Sequence, residues 1–209
     1  MKYIVASIGR SGSTLVTKLI CEAMGLPFAF TTNLNTPDDG ILKTHLHFKL
    51  EPDFDYKTIF IYSKNIIDVI SSMYAGRLDI TRHLYHLEVF RRHRFIFMLA
   101  TQIRRLFRNE RINEALNTLV FRYMIKNDKF RFKENALSWK ASKRVLFVAY
   151  EDLCASKDKE LLRMSTFLGI TLPDFEIKER LAKTDNTPIE LIDLAMREYD
   201  DFFQTLANR

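Results

Sequence analysis

The sequence predicts an α/β fold in which helices flank a central parallel sheet on both faces. Its 209 residues suit one domain with its own hydrophobic core. Apolar runs of strand length, bounded by turn residues, alternate with segments of helical spacing, which is the pattern of parallel βαβ units. The apolar runs lie at residues 3–8, 27–31, 40–45, 57–63 and 144–150.

The first predicted helix follows the first strand after a turn rich in glycine and serine. Leu15, Leu19 and Ala23 recur at the spacing of one helix face. Gly25 and Pro27 then predict the end of this helix, because glycine favours the left-handed turn after a helix and proline cannot continue one. The chain therefore begins with a predicted strand–turn–helix unit.

A second helix and a helical insert follow the fourth strand. Ile66, Ile70 and Met73 predict a helix that ends near Gly76. From about residue 80 to residue 140 the alternation breaks, and helical spacing predicts two or three inserted helices. The insert's apolar residues with this spacing include Ile112, Leu116, Leu119, Val120 and Tyr123. The tail, roughly residues 174–207, predicts two more helices, all within a single domain of residues 1–209.

Composition argues against several classes of protein. Cys21 and Cys154 are far apart and lack metal-ligand spacing, so the sequence predicts neither a disulfide framework nor a metal site. The longest apolar run, Phe95 to Ala100, is too short to span a bilayer. We find no secretory signal before the first strand, and we therefore expect a soluble, cytoplasmic protein.

Basic residues concentrate in the predicted insert. Residues 80–133 contain thirteen lysines and arginines against four acidic residues, a net charge of +9 in a chain whose total is +6. This excess predicts an anionic partner, such as a glycan, a lipid head group or a membrane surface, and we find no nucleic-acid-binding motif. The alternative is a set of amphipathic helices with solvated arginines and inward-facing phenylalanines. These are Phe90, Phe95, Phe97, Phe107, Phe121, Phe130 and Phe132.

A candidate phosphate-binding loop joins the first strand to the first helix. Residues 8–14 read Ile-Gly-Arg-Ser-Gly-Ser-Thr. Gly9 and Gly12 allow a sharp turn, and the following helix offers its positive N-terminal end to an anion. The loop lacks the lysine of a Walker A motif and the second glycine of a nucleophile elbow. A simple connecting turn without a ligand is the alternative interpretation.

Three further segments accompany this loop in the order of a known family. They are Leu42-Lys43-Thr44-His45-Leu46, residues 61–72, and Tyr150-Glu151-Asp152 followed by Phe167-Leu168-Gly169. Together the four segments resemble those of the sulfotransferases that use 3′-phosphoadenosine 5′-phosphosulfate (PAPS). The resemblance covers most of residues 3–170 and implies a nucleotide-binding fold of the P-loop type. Lys64 stands where the family usually has arginine, and nothing after Gly169 resembles the family's C-terminal 3′-phosphate clamp.

The resemblance implies a role for each site residue. His45 would be the general base, while Lys43 and Arg10 would stabilise the negative charge that develops during transfer. His47 is the alternative base, because it shares a strand face with His45 if the chain stays extended. The residues expected to bind the donor PAPS, or its product 3′,5′-adenosine bisphosphate (PAP), are Arg10, Ser11, Gly12, Ser13, Thr14, Lys64, Ser72 and Tyr150.

Three functions are therefore compared. The first is transfer of a sulfuryl group from PAPS to a hydroxyl or amine on a glycan, a lipid or a small molecule. The second is a P-loop nucleotide kinase or NTPase with a related loop. The third is a degenerate sulfotransferase-like fold that binds an anionic partner through its basic insert.

Overall fold

The structure, a computed structural model, describes residues 1–8, 11–30, 40–45, 47–49, 54–75, 92–107, 109–176 and 186–206. The chain divides into two compact units, which are described separately, and the single domain stays a prediction. The sheet unit comprises Met1–Lys64, Glu134–Arg180 and Thr205–Arg209. The helical unit comprises Asn65–Lys133 and Leu181–Gln204.

The strands of the sheet unit are β1 (Lys2–Ser7), β2 (Phe28–Phe30), β3 (Ile41–Thr44), β4 (Tyr56–Tyr62) and β5 (Val145–Ala149). They form one parallel sheet in the order β2-β3-β1-β4-β5. All five lie where the apolar runs predict them, which confirms the predicted fold class. Because β1 has β3 on one side and β4 on the other, its carboxyl end is a topological switch point, where open α/β sheets bind ligands.

The described helices are α1 (Ser13–Met24), α2 (Ile66–Ala75), α3 (Arg94–Leu106), α4 (Glu110–Ile125), α5 (Phe132–Lys140), α6 (Tyr150–Ala155), α7 (Lys157–Leu168) and α8 (Ile189–Thr205). Helix α1 ends at Gly25, whose φ of 63° is the left-handed conformation that its sequence predicts. Helices α3, α4 and α5 are the inserted helices. Of the two helices predicted in the tail, α8 is described, and residues 177–185 lie outside the described part of the chain.

Both faces of the sheet are covered. Tyr3 and Val5 of β1 point to one face, while Ile4 and Ala6 point to the other, and all four are buried. This explains why β1 reads as a continuous apolar run rather than an alternating one. Among the described residues, the core on one face includes Val16, Leu19 and Ile20 of α1 together with Leu161, Met164 and Leu168 of α7. Trp139 of α5 is also fully buried, with its ring 5.2 Å from that of Phe48.

The helical unit has an aromatic core and an unexpected outer surface. Phe121 packs edge-on against Tyr74 at 5.3 Å, and Phe130 stacks on Phe132 at 4.9 Å. Ile112 and Leu119 of α4, which belong to its predicted apolar spacing, are exposed. Val120, which belongs to the same predicted spacing, is buried, as are Asn117, Phe121, Met124 and Ile125. No helix in the described part of the chain is long and apolar enough to cross a membrane. The cytoplasmic location stays a prediction.

Candidate active site

The N-terminus of α1 forms the floor of the site. Gly12 precedes the helix with φ of 85°, and its carbonyl oxygen accepts a hydrogen bond from the Leu15 N–H at 2.9 Å. The buried Ser11 hydroxyl donates to the carbonyl oxygen of Ile61 at 3.0 Å, which ties the loop to β4. The first N–H groups of α1 have no acceptor within the helix and carry its positive dipole end. Gly9 and Arg10 lie outside the described residues, so the role of Arg10 stays a prediction.

Tyr150 lies against this loop. It opens α6 directly after β5, and its ring occupies the space beside Gly12. A Cβ atom built on Gly12 would collide with the Cδ2 atom of Tyr150. Glycine is therefore required at position 12 for two reasons, the positive φ and the aromatic ring. The geometry places Tyr150 beside the candidate phosphate-binding loop, and its contact with the donor stays a prediction.

Lys43 reaches the same loop from β3. Its Nζ donates to the Thr14 hydroxyl oxygen at 2.6 Å. Partial burial lowers the pKa of Lys43, because desolvation penalises the charged form. Among the described residues no carboxylate forms an ion pair with this ammonium. A partly buried cation beside a helix N-terminus is an environment that an anionic group would stabilise, so these residues fit a phosphate.

His45 follows β3 and contacts the end of β1. Its Nδ1 lies 3.0 Å from the Ser7 carbonyl oxygen and 2.8 Å from the Ser7 hydroxyl oxygen. Because a carbonyl oxygen can only accept, Nδ1 donates, and the neutral imidazole carries its lone pair on Nε2. The pKa of His45 is lowered to about 4, chiefly because burial disfavours the charged form; the Ser7 backbone hydrogen bond raises it, and the charge of Lys43 lowers it. His45 is therefore a neutral imidazole at pH 7.

Asn135 is a site residue that the sequence analysis missed. Its Nδ2 donates to the carbonyl oxygens of His45, at 3.2 Å, and of Ser7, at 3.4 Å. The side chain is buried on α5 and so holds the carboxyl ends of β1 and β3 together. Asn135 is 90 residues from His45 in the sequence, and no motif surrounds it, so only the folded chain reveals the contact.

His47 occupies a different environment from His45. Strand β3 ends at Thr44, so the alternation that would place both histidines on one face does not extend to residue 47. The His47 side chain is buried, and its Nδ1 lies 3.8 Å from a carboxylate oxygen of Glu134. His45 contacts Ser7 at the end of β1, the strand that leads into the candidate phosphate-binding loop. His45 is therefore a better candidate for the general base than His47.

Lys64 already has a carboxylate partner. Its Nζ donates to Asp152 Oδ1 at 2.6 Å, and its backbone N–H donates to Glu151 Oε2 at 2.8 Å. Glu151 also accepts from the hydroxyl of Ser63. The Tyr-Glu-Asp turn thus fastens the end of β4, a structural role that its resemblance did not indicate. Ser72, the other predicted 3′-phosphate residue, is partly buried on α2 of the helical unit.

A family model described as the sulfotransferase domain matches residues 28–187. The chain belongs to the sulfotransferase family. This match covers the chain from β2 to the segment just before α8 and confirms the predicted enzyme class, a sulfotransferase. A search of the curated protein sequences found no significant match.

The fold of this sulfotransferase is similar to solved structures. One is retinol dehydratase in a complex with retinol and PAP, at 16% identity and a TM-score of 0.58, with 96% of this chain and 80% of that chain covered. Another is the mouse sulfotransferase SULT7A1 complexed with PAP, at 15% identity and a TM-score of 0.52, with 99% and 88% covered. At these identities the similarity establishes the fold.

Proposed function

We propose that this sulfotransferase moves a sulfuryl group from PAPS to a hydroxyl or amine acceptor, with His45 as the general base. The observation that carries the proposal is that Lys43 contacts the start of α1 and His45 contacts the end of β1. Lys43 contacts Thr14, and His45 contacts Ser7 on the strand that leads into the loop. A cation and a neutral base thus converge beside the candidate phosphate-binding loop.

The residues at the start of α1 suit the donor's 5′-phosphosulfate. When bound, PAPS would supply an activated sulfuryl group attached to its 5′-phosphate. The phosphate oxygens would be bound by the N–H groups of Ser13 and Thr14 and by the Lys43 ammonium. Because Gly12 has no side chain, these oxygens could approach the backbone closely. Arg10 would add a charge that is always present, because its guanidinium does not titrate near neutral pH.

At the donor's other end we assign the 3′-phosphate to Lys64 of the sheet unit, and the role of Ser72 stays a prediction from the resemblance. Lys64 would exchange Asp152 for a phosphate oxygen, because its ammonium already has that carboxylate partner. A lysine cannot form the bidentate hydrogen bonds that an arginine forms with a phosphate. We therefore expect Lys64 to bind the 3′-phosphate more weakly than the arginine that the family usually has at this position.

His45 would remove the acceptor's proton. Its Nε2 has the lone pair, and its Nδ1–H bond to the Ser7 carbonyl oxygen stabilises the imidazolium that forms. General-base help of this kind typically contributes about 10²–10⁴ in rate. Lys43 would act as an electrostatic group, stabilising negative charge that develops on the transferring oxygens.

The acceptor class is proposed from the similar proteins and from charge. The retinol dehydratase structure holds retinol together with PAP, which supports a small-molecule acceptor for this chain. A glycan or a lipid is the alternative, which the excess of basic residues in the insert favours. A screen of labelled-sulfate transfer from PAPS to members of each class identifies the acceptor.

The test combines PAP binding with transfer. PAP at about a hundred times its Kd should stabilise the wild type by about 2.7 kcal/mol, measured by thermal or chemical unfolding. His45→Gln should keep this stabilisation while transfer falls by about 10²–10⁴. Stabilisation by ATP with Mg²⁺ but not by PAP would instead indicate a nucleotide kinase. PAP binding without transfer in the full acceptor screen would indicate a degenerate, non-catalytic protein.

A further inference from the structure

Helix α3 of the helical unit presents large apolar side chains to solvent. Phe95 is 77% exposed, Met98 45%, Leu99 51% and Leu106 76%. These four residues follow the spacing i, i+3, i+4 and i+11, so they form one stripe along the helix. The residues that α3 buries are Phe97 and Ala100. An ordinary amphipathic helix would place the larger apolar group inside.

The stripe lies in a chain segment that is rich in exposed apolar side chains. Thirteen large hydrophobic side chains are exposed among the described residues, and seven of them lie between residues 95 and 119. Phe107, Ile112 and Leu119 complete these seven. Single exposed apolar residues are common, but such a concentration in one segment indicates an interaction surface.

Exposed arginines border the stripe. Residues 92–107 contain four arginines and no aspartate or glutamate. Arg94 and Arg105 are exposed and lie eleven residues apart, which places both on the helix edge that also carries Met98. His93 adds little charge near neutral pH, because burial and the charges of Lys129 and Arg92 lower its pKa. No described carboxylate forms an ion pair with Arg94 or Arg105, so the surface combines apolar side chains with a positively charged edge.

We propose that α3 docks this protein on an anionic lipid surface, lying in the plane of the membrane. Phe95, Leu99 and Leu106 would enter the boundary between head groups and acyl chains, and Arg94 and Arg105 would contact the anionic head groups. The helix has 13 residues, a length of about 20 Å, and is too short to span a bilayer. This binding needs neither the donor nor His45, so it is independent of the proposed reaction.

Vesicle flotation with the full chain tests the proposal. Vesicles of phosphatidylcholine with about one third phosphatidylserine should bind the protein, and pure phosphatidylcholine vesicles should bind it much less. Phe95→Ser with Leu106→Ser should weaken binding more than about tenfold, since both side chains lose apolar contact. Arg94→Gln with Arg105→Gln should weaken it about twentyfold, and added salt should reduce the wild-type binding.

Matched controls lie on the sheet unit. Leu162 of α7 is 69% exposed, and Leu162→Ser removes a comparable apolar side chain from another surface. Lys143→Gln with Lys159→Gln removes two positive charges from exposed positions. Both controls should bind vesicles like the wild type, and His45→Gln should as well.

Three results would overturn the proposal. The first is equal binding of the wild type to both kinds of vesicle, and the second is a lysine control that weakens binding as much as the arginine pair. The third is a wild-type dimer in sedimentation velocity that Phe95→Ser with Leu106→Ser dissociates, without any vesicle binding. In that case the stripe would be a surface for a second copy of the chain.

Discussion

Two lysines of this sulfotransferase, both assigned to phosphates of one donor, lie in opposite electrostatic environments. Lys43 is partly buried and contacts the neutral hydroxyl of Thr14, with no carboxylate paired to it among the described residues. Lys64 is held by the carboxylate of Asp152 at 2.6 Å. Lys43 is thus ready for an anion, whereas Lys64 must first exchange its partner. The same residue type in two motifs therefore does not imply the same contribution to binding.

The largest expected difference is between Lys43→Met and Lys64→Met. Lys43→Met should lower kcat/KM for PAPS by about 10²–10³, because an ammonium directed at developing charge in a partly dry site is lost. Lys64→Met should raise the Kd for PAP by less than about tenfold, because its charge is already compensated. Steady-state kinetics and PAP titrations of both variants measure the contrast, and equal losses would contradict it.

Gly12→Ala tests the loop on the Lys43 side. The substitution combines a left-handed backbone with the collision against Tyr150, and should cost about 3 kcal/mol of unfolding free energy. Gly25→Ala is the matched control, because φ is 63° and nothing lies within 4 Å of the added Cβ, so it should cost about 1 kcal/mol. Urea unfolding measures both, and Tyr150→Ala should recover part of the loss in Gly12→Ala. Equal costs for the two glycines would show that Tyr150 does not restrict the loop.

Asp152→Asn should leave the Lys64 ammonium without an ionic partner, as the Lys43 ammonium is among the described residues. Removing the negative charge leaves the ammonium without its ionic partner, and PAP should then bind about fivefold more tightly, corresponding to about 1 kcal/mol for a partly exposed pair. Calorimetric titration with PAP gives the change in Kd. In the double variant Asp152→Asn with Lys64→Met, the gain in PAP affinity should disappear. A gain that persists would show that it does not act through Lys64.

The smallest expected effect concerns pH. Burial and the charge of Lys43 place the His45 pKa near 4, so His45 stays neutral between pH 7.5 and 5.5. Titration of His45 should therefore change kcat/KM for PAPS by less than about twofold over this pH range. A histidine with the ordinary pKa near 6.5 would instead lower kcat/KM about tenfold between pH 7.5 and pH 5.5, because it becomes protonated in that range. Since the folded pKa is lowered, the stability that His45 contributes is present above pH 6.5 and is lost as pH falls through about 4. Lys43→Met should shift the acid limb to higher pH.

The sequence predicted the sheet and much of the site because local signals determine them. Apolar runs placed β1 to β5, and Gly25 placed the end of α1. Motif order then brought Thr14, Lys43, His45 and Tyr150 into the region where the structure has them. These residues lie at or just after strand ends or open helices, and parallel strands bring such positions to one edge of the sheet.

What the sequence did not reveal depends on contacts between distant segments. Lys64 and its partner Asp152 are 88 positions apart in the sequence. Asn135, which bonds to the carboxyl ends of β1 and β3, is 128 positions from Ser7 and 90 from His45. Spacing also failed to select the inner face of α4, because apolar residues such as Leu119 and Val120 lie on adjacent faces. Packing buried Val120 and left Leu119 outside.

The buried indole of Trp139 gives the enzyme an internal optical reporter. It belongs to the only tryptophan of the chain and lies one helical turn from Asn135, whose amide holds the backbone of Ser7 and His45. Tryptophan fluorescence therefore arises from a single site near the carboxyl ends of β1 and β3. Its emission should be blue-shifted in the native state, and titration with PAP should change its intensity without any attached dye.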